Sequence, residues 1–117
     1  MYTFEEIINR VPVDVEASEF EIRIKFLDGS SCLFYHEQDC CEDVFVEDVN
    51  GDWKDLLDTP LLVVEERSEV DFNASESGTF TFYTFRSVKG SVDVRWYGSS
   101  NGYYSEAVNF EFTGATA

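Results

Sequence analysis

The sequence predicts an α+β domain that is mostly antiparallel β: a single curved sheet or partly closed barrel carrying one or two short helices. Three observations lead there. Apolar and polar residues alternate with period two in Phe20–Phe26 and in the segments TFTFYTF, SVDVRWYG and YYSEAVNFEF. The turn dipeptides Asp28-Gly29, Asn50-Gly51 and Asn101-Gly102 punctuate these runs. Helix signals are confined to the first ten residues and the short stretch DWKDLL.

The first of these signals is a Thr-x-x-Glu capping box, Thr3 to Glu6, ahead of Ile7 and Ile8, which predicts a helix over about 4–10 stopped near Pro12. From Glu19 the period becomes two, and Phe20, Ile22, Ile24 and Phe26 form the apolar face of a strand that ends at Asp28-Gly29. The return strand SSCLFYH is apolar on both faces, so its register rests on the turn. A two-residue turn sets Ile22 and Ile24 against Tyr35 and Leu33. A three-residue loop turns Cys32, Phe34 and His36 to the core instead.

A third strand is expected around Val44–Val49, then a helical turn in DWKDLL capped by Asp52, then a strand LLVVEE after Pro60. The polar stretch 67–78 is the candidate for a mobile loop. The last three strands read as a consecutive meander in which Val92, Val94 and Trp96 share a face with Val108, Phe110 and Phe112. The antiparallel strands thus occupy about 19–112, within one domain spanning 1–117 and ending in a disordered tail over 114–117.

Composition bounds the function. Eight Lys and Arg against 24 Asp and Glu give a formal charge of −16, with no two basic residues adjacent. Nucleic-acid binding requires a cationic surface that releases counterions from phosphates, and an anionic membrane repels this chain for the same reason. No basic start with an apolar run marks a signal peptide, and the longest aliphatic run is LLVV. Together with an odd count of three cysteines, this points to the cytoplasm.

Two stretches carry candidate chemistry. In YHEQDCCED, residues 35–43, the single histidine lies close to two cysteines, so His36, Asp39, Cys40 and Cys41 form a conceivable zinc set. Adjacent cysteines point to opposite faces of an extended chain, and the acidic neighbours suppress thiolate formation. The expectation is therefore reduced cysteines, at least one of them a small buried hydrophobe, and no zinc or other cofactor. The second stretch is RWYGSSNGYYSE, where Tyr97, Asn101, Tyr103, Tyr104 and Glu106 combine rigid amphipathic rings with a Ser/Asn/Gly loop suited to recognition.

Other motifs fail on inspection. DVNGDWKDLLD departs from a calcium loop at Trp53, where Gly is needed, and at Thr59, where a bidentate carboxylate is needed. A looser divalent site at Glu47, Asp48, Asp52 and Asp55 competes with a solvated acidic turn. No phosphate-binding loop, nucleophile elbow or second histidine supports catalysis, and the chain reads as no enzyme.

The islands CLFYHEQDCCEDVFVEDVNGD and VKGSVDVRWYGSSNGYYSEAVNFEF resemble a family of small uncharacterised bacteriophage- and prophage-encoded proteins, with His-x-x-Asp-Cys-Cys-Glu at 36–42 as the most specific part. The resemblance implies a phage origin and the bacterial host cytosol, and it assigns no functional residue. By class analogy it suggests a non-enzymatic protein that binds a basic host macromolecule through its acidic surface, inhibiting a host or defence factor. The alternative is a small-ligand or metal-binding domain around His36, Cys40 and Cys41.

Overall fold

The computed structural model describes residues 4–115. It corrects the expected class, because the described residues form no α-helix and the strands make neither one sheet nor a barrel. Eight strands, β1 (Pro12–Ala17), β2 (Glu21–Phe26), β3 (Ser31–Tyr35), β4 (Asp43–Asn50), β5 (Val63–Val70), β6 (Ser77–Arg86), β7 (Ser91–Ser100) and β8 (Asn109–Thr113), divide into two four-stranded antiparallel sheets. One has the order β1-β2-β3-β8 and the other β4-β7-β6-β5. In the second, the hairpin-connected strands β5, β6 and β7 are joined by β4 through a long connection, a Greek-key arrangement.

The first hairpin takes the longer loop. Ile22 pairs with Phe34 and Ile24 with Cys32, all four buried, and the Phe26 N–H donates to Ser30 O across the turn. Gly29 adopts φ +89°, a conformation that costs a β-branched residue dearly. Strand β8 continues the pattern, with Phe112 opposite Cys32 and Phe110 opposite Phe34. From the other sheet Val92, Val94, Trp96, Tyr83 and Phe85 face these residues and complete one apolar core. Phe34 lies edge-on to Tyr83 and Phe85, with centroids 4.9 and 5.4 Å away, the favoured geometry for paired rings. Trp96 is fully buried, and its indole N–H meets no acceptor among the described residues.

Four further expectations are corrected. The predicted helix at 4–10 is one hydrogen-bonded turn, closed by Ile7 and Ile8 N–H groups on Phe4 O; Thr3 of the capping box lies outside the described residues. Positive φ at Phe4 (45°) and Asn9 (71°) ends helical geometry on both sides, while Phe4 and Ile7 are buried in the core. Phe20 belongs to the β1–β2 turn and is 61% exposed, outside the apolar face of β2. The loop expected over 67–78 is shorter, 71–76, because β5 runs to Val70 and β6 starts at Ser77. The closing meander breaks after β7: β8 crosses to the other sheet, so Val108, Phe110 and Phe112 meet Val92, Val94 and Trp96 across the core and not as hydrogen-bonded neighbours. Asp52 does cap a short 3-10 turn at Trp53–Leu56, accepting from Lys54 N at 2.9 Å. Of the tail, residues 116 and 117 lie outside the described residues.

Candidate functional site: an acidic pole

Antiparallel registers fix which connections share an end of the molecule. The β1–β2 turn, the β3–β4 connection, the β5–β6 loop and the β7–β8 connection all lie at one pole. Segments 17–21, 35–43, 69–79 and 97–109, which form it, contain ten carboxylates and no Lys or Arg. Five of the eight basic residues, Arg10, Lys25, Lys54, Arg86 and Lys89, sit at or beside the turns of the opposite end. Exposed aromatic rings follow the same division. Among the described residues the highly exposed ones are Phe20, Phe72 (92%) and Tyr103 (83%), and all three belong to the pole.

The two sheet-to-sheet connections are tied together by the motif singled out in the sequence. Glu42 is buried, and its carboxylate accepts backbone N–H bonds from Asp39 and Cys40, each at 2.9 Å. Gln38 Nε2 donates to Glu42 O at 2.6 Å and reaches Oε1 at 3.3 Å. His36 Nε2 lies 2.8 Å from Glu42 Oε2, and Nδ1 lies 2.7 Å from Ala107 O. A carboxylate and a carbonyl both accept, so each ring nitrogen of His36 faces an acceptor. The Cys40 N–H first, aided by His36 and the Asp39 N–H against the effect of burial, brings Glu42 down to about 2. Glu37 N adds a bond to Asn109 Oδ1 at 2.9 Å. The string is thus a wrapped carboxylate that fastens the β3–β4 connection to the β7–β8 connection.

The conceivable zinc set is not assembled. Both nitrogens of His36 are engaged elsewhere, Cys40 and Cys41 are exposed and joined to each other in a disulfide (S–S 2.06 Å), and Asp39 contributes its backbone. Among the described residues, no three His, Cys, Asp or Glu side chains are grouped so as to hold a metal ion. The disulfide also corrects the expectation of reduced cysteines at 40 and 41. Cys32 is the buried free thiol, pushed up to about 12 by burial. In the looser acidic set, Glu47 pairs with Arg95 at 2.7 Å and Asp52 is the cap described above.

The five residues of the recognition stretch separate into three roles. Tyr103 and Tyr104 form an edge-to-face pair, centroids 5.0 Å apart, at the loop tip, where Asn101 Oδ1 accepts the Tyr103 N–H at 2.9 Å. Tyr97 lies on the outer face of its sheet, in a cross-strand row with Phe45 and Phe80. Its hydroxyl donates to Asp71 Oδ2 at 2.7 Å, and that bond is the main reason its pKa rises to about 12. Glu106 points into a network in which the hydroxyls of Thr79 (2.8 Å), Ser100 and Ser77 donate to its carboxylate. Burial opposes ionisation there, and the three hydroxyls outweigh it, so the pKa is lowered. The absent side chain of Gly98 permits this, since a Cβ there would lie 2.8 Å from Glu106 Cβ. Phe20 and Phe72, the other exposed rings of the pole, were invisible as site residues because no local pattern marks them. Their common location follows only from strand order.

Three clefts surround the 99–109 segment. The first, of about 400 Å³, is lined by Glu66, Thr79, Thr81, Tyr104 and Glu106 among others; a second, of about 270 Å³, by His36, Glu37, Asp39 and Asn109; a third, of about 430 Å³, by Cys41, Asp43, Glu76, Tyr97 and Asn101. No Lys or Arg lines any of them. No helix among the described residues is long and apolar enough to cross a membrane.

A family described as Domain of unknown function (DUF7448) matches residues 5–110, and the chain belongs to that family. No curated protein and no solved structure matches the chain.

Proposed function

We propose that this member of a family without an assigned activity is a non-enzymatic binding module whose acidic pole docks on a basic macromolecule. The observation that carries the reading is the segregation of charge: ten carboxylates, no Lys or Arg and three exposed rings share one end of a chain whose total charge is −16. Complementary fields raise association rates, and exposed aromatic rings supply apolar contact once the partners meet. A catalytic role for the single histidine is disfavoured because both of its ring nitrogens are engaged in hydrogen bonds, and the metal-site alternative around His36, Cys40 and Cys41 lacks convergent ligands.

The resemblance of the His36–Glu42 string to phage and prophage proteins supports a host protein in the bacterial cytosol as the partner, with inhibition of a host or defence factor as the outcome. Against a purified basic partner, association should slow steeply as salt rises, nucleic acid should compete, and Tyr103→Ala/Tyr104→Ala should weaken binding by about tenfold or more. Binding indifferent to both salt and the double substitution would remove the proposal.

A further inference from the structure

The cleft of about 400 Å³ lies on the inner side of β5 and β6, roofed by the β7–β8 connection. Inner faces of a sandwich are ordinarily apolar, yet here the interior gives way to Glu66, Thr79, Thr81 and Glu106. Both carboxylates have only neutral donors. Glu106 is held by three hydroxyls, and Glu66 accepts from Tyr83 Oη at 2.5 Å. A partly buried carboxylate normally finds a cation, because neutral hydrogen bonds leave its field uncompensated. Two such fields open into one cavity. Thr81 adds a separate indication: it is 5% exposed, it lines the cleft, and its hydroxyl meets no hydrogen-bond partner among the described residues. Tyr104 provides an aromatic wall.

We propose that this cleft is a site for an alkylguanidinium group, an arginine side chain presented by the basic partner. The inference rests on the binding-module reading above and names the group that anchors it. A planar guanidinium offers five N–H donors, enough to serve Glu66, Glu106 and Thr81 Oγ1 together, and its face can lie on the Tyr104 ring. A compact ammonium has three donors and holds its hydration more strongly, so it is the poorer occupant.

The test uses butylguanidinium chloride as the probe on the intact protein, with butylurea as the neutral analogue, followed by amide chemical shifts. Saturable shifts confined to 66–68, 77–81 and 102–108, with affinity in roughly the millimolar range expected for so small a ligand, support the site. Butylurea should give none. Glu106→Gln, checked for unchanged fold, should weaken the cation about tenfold, and Thr81→Val, which alters no hydrogen bond of the protein, should weaken it several-fold. Equal binding of butylurea, absence of saturable shifts, or undiminished affinity in both variants overturns the assignment. A basic partner bound with steep salt dependence while butylguanidinium is refused sinks this cleft alone. Capture of butylguanidinium without any basic partner upholds the cleft and removes only the broader reading.

Discussion

Glu42 illustrates how a residue can be misread when its neighbours are more conspicuous. In HEQDCCED the eye goes to the imidazole and the thiols, whereas the structure is organised around the carboxylate, buried among Asp39 and Cys40 N–H groups and His36. A sequence gives no sign of which of several acids will be wrapped, because that depends on the loop folding back on itself. The pH consequence has a definite sign. A carboxyl lowered from its ordinary value of 4.5 to about 2 contributes stability that is complete above the ordinary value and is lost as pH falls toward 2. Urea midpoints of the wild type and Glu42→Gln should therefore differ most near neutrality and converge as pH falls through that window. A gap that stays constant down to pH 2 would show that the carboxylate charge is not what the loop stabilises. Tyr97 and Glu106 were legible as polar-tipped side chains near a loop, but most of their partners are distant in sequence: Asp71 of the β5–β6 loop for one, and Thr79 and Ser77 of β6, beside the nearer Ser100, for the other.

At the scale of elements, alternation identified β2, β6, β7 and β8 and told which side chains share a face, while leaving open which strand lies beside which. Val13 and Val15 alternate with Asp14 and Glu16 in β1, but Pro12 before them reads equally well as the stop of a helix. The break between β7 and β8 is likewise silent, since the same inward Phe110 and Phe112 would serve a β7 neighbour or a facing sheet. Asp28-Gly29 left two registers, and the three-residue loop was selected because it buries Cys32 and Phe34 against Ile22 and Ile24. That choice depends on the left-handed backbone at Gly29, φ +89°, around which there is room: a Cβ would have Ala115 Cβ at 3.7 Å as its neighbour. The cost of substitution is thus conformational. Gly29→Val should destabilise by about 1 kcal/mol or more, a loss of several degrees in Tm for a domain of this size, whereas Gly29→Asn should retain most of the stability. Calorimetry in which valine and asparagine melt together at the wild-type temperature would discard the turn geometry.

For the whole molecule, the net charge of −16 was plain from the first count, but its distribution was not, because the acids are spread along the entire chain. Folding brings ten of the 24 acids, from segments separated along the chain, to an end that holds no Lys or Arg, and five of the eight basic side chains gather at the other. If function follows this polarity, position must matter more than total charge. Glu37→Lys with Glu76→Lys alters two exposed acids of the pole, and Glu5→Lys with Asp14→Lys makes the same change of charge at exposed sites away from it. Both pairs reduce the overall negative charge equally, so a partner attracted only by the distant field would be slowed equally by either. Docking at the pole gives a different result, since reversal of charge within a Debye length of the contact acts almost unscreened while the remote pair is damped at physiological salt. With an arginine-rich peptide as the probe, the pole pair should lower the association rate by about tenfold or more, and the remote pair by no more than about twofold. Equal slowing by the two pairs would mean that the carboxylates act as a diffuse charge, and the pole would then lose its claim to be a site.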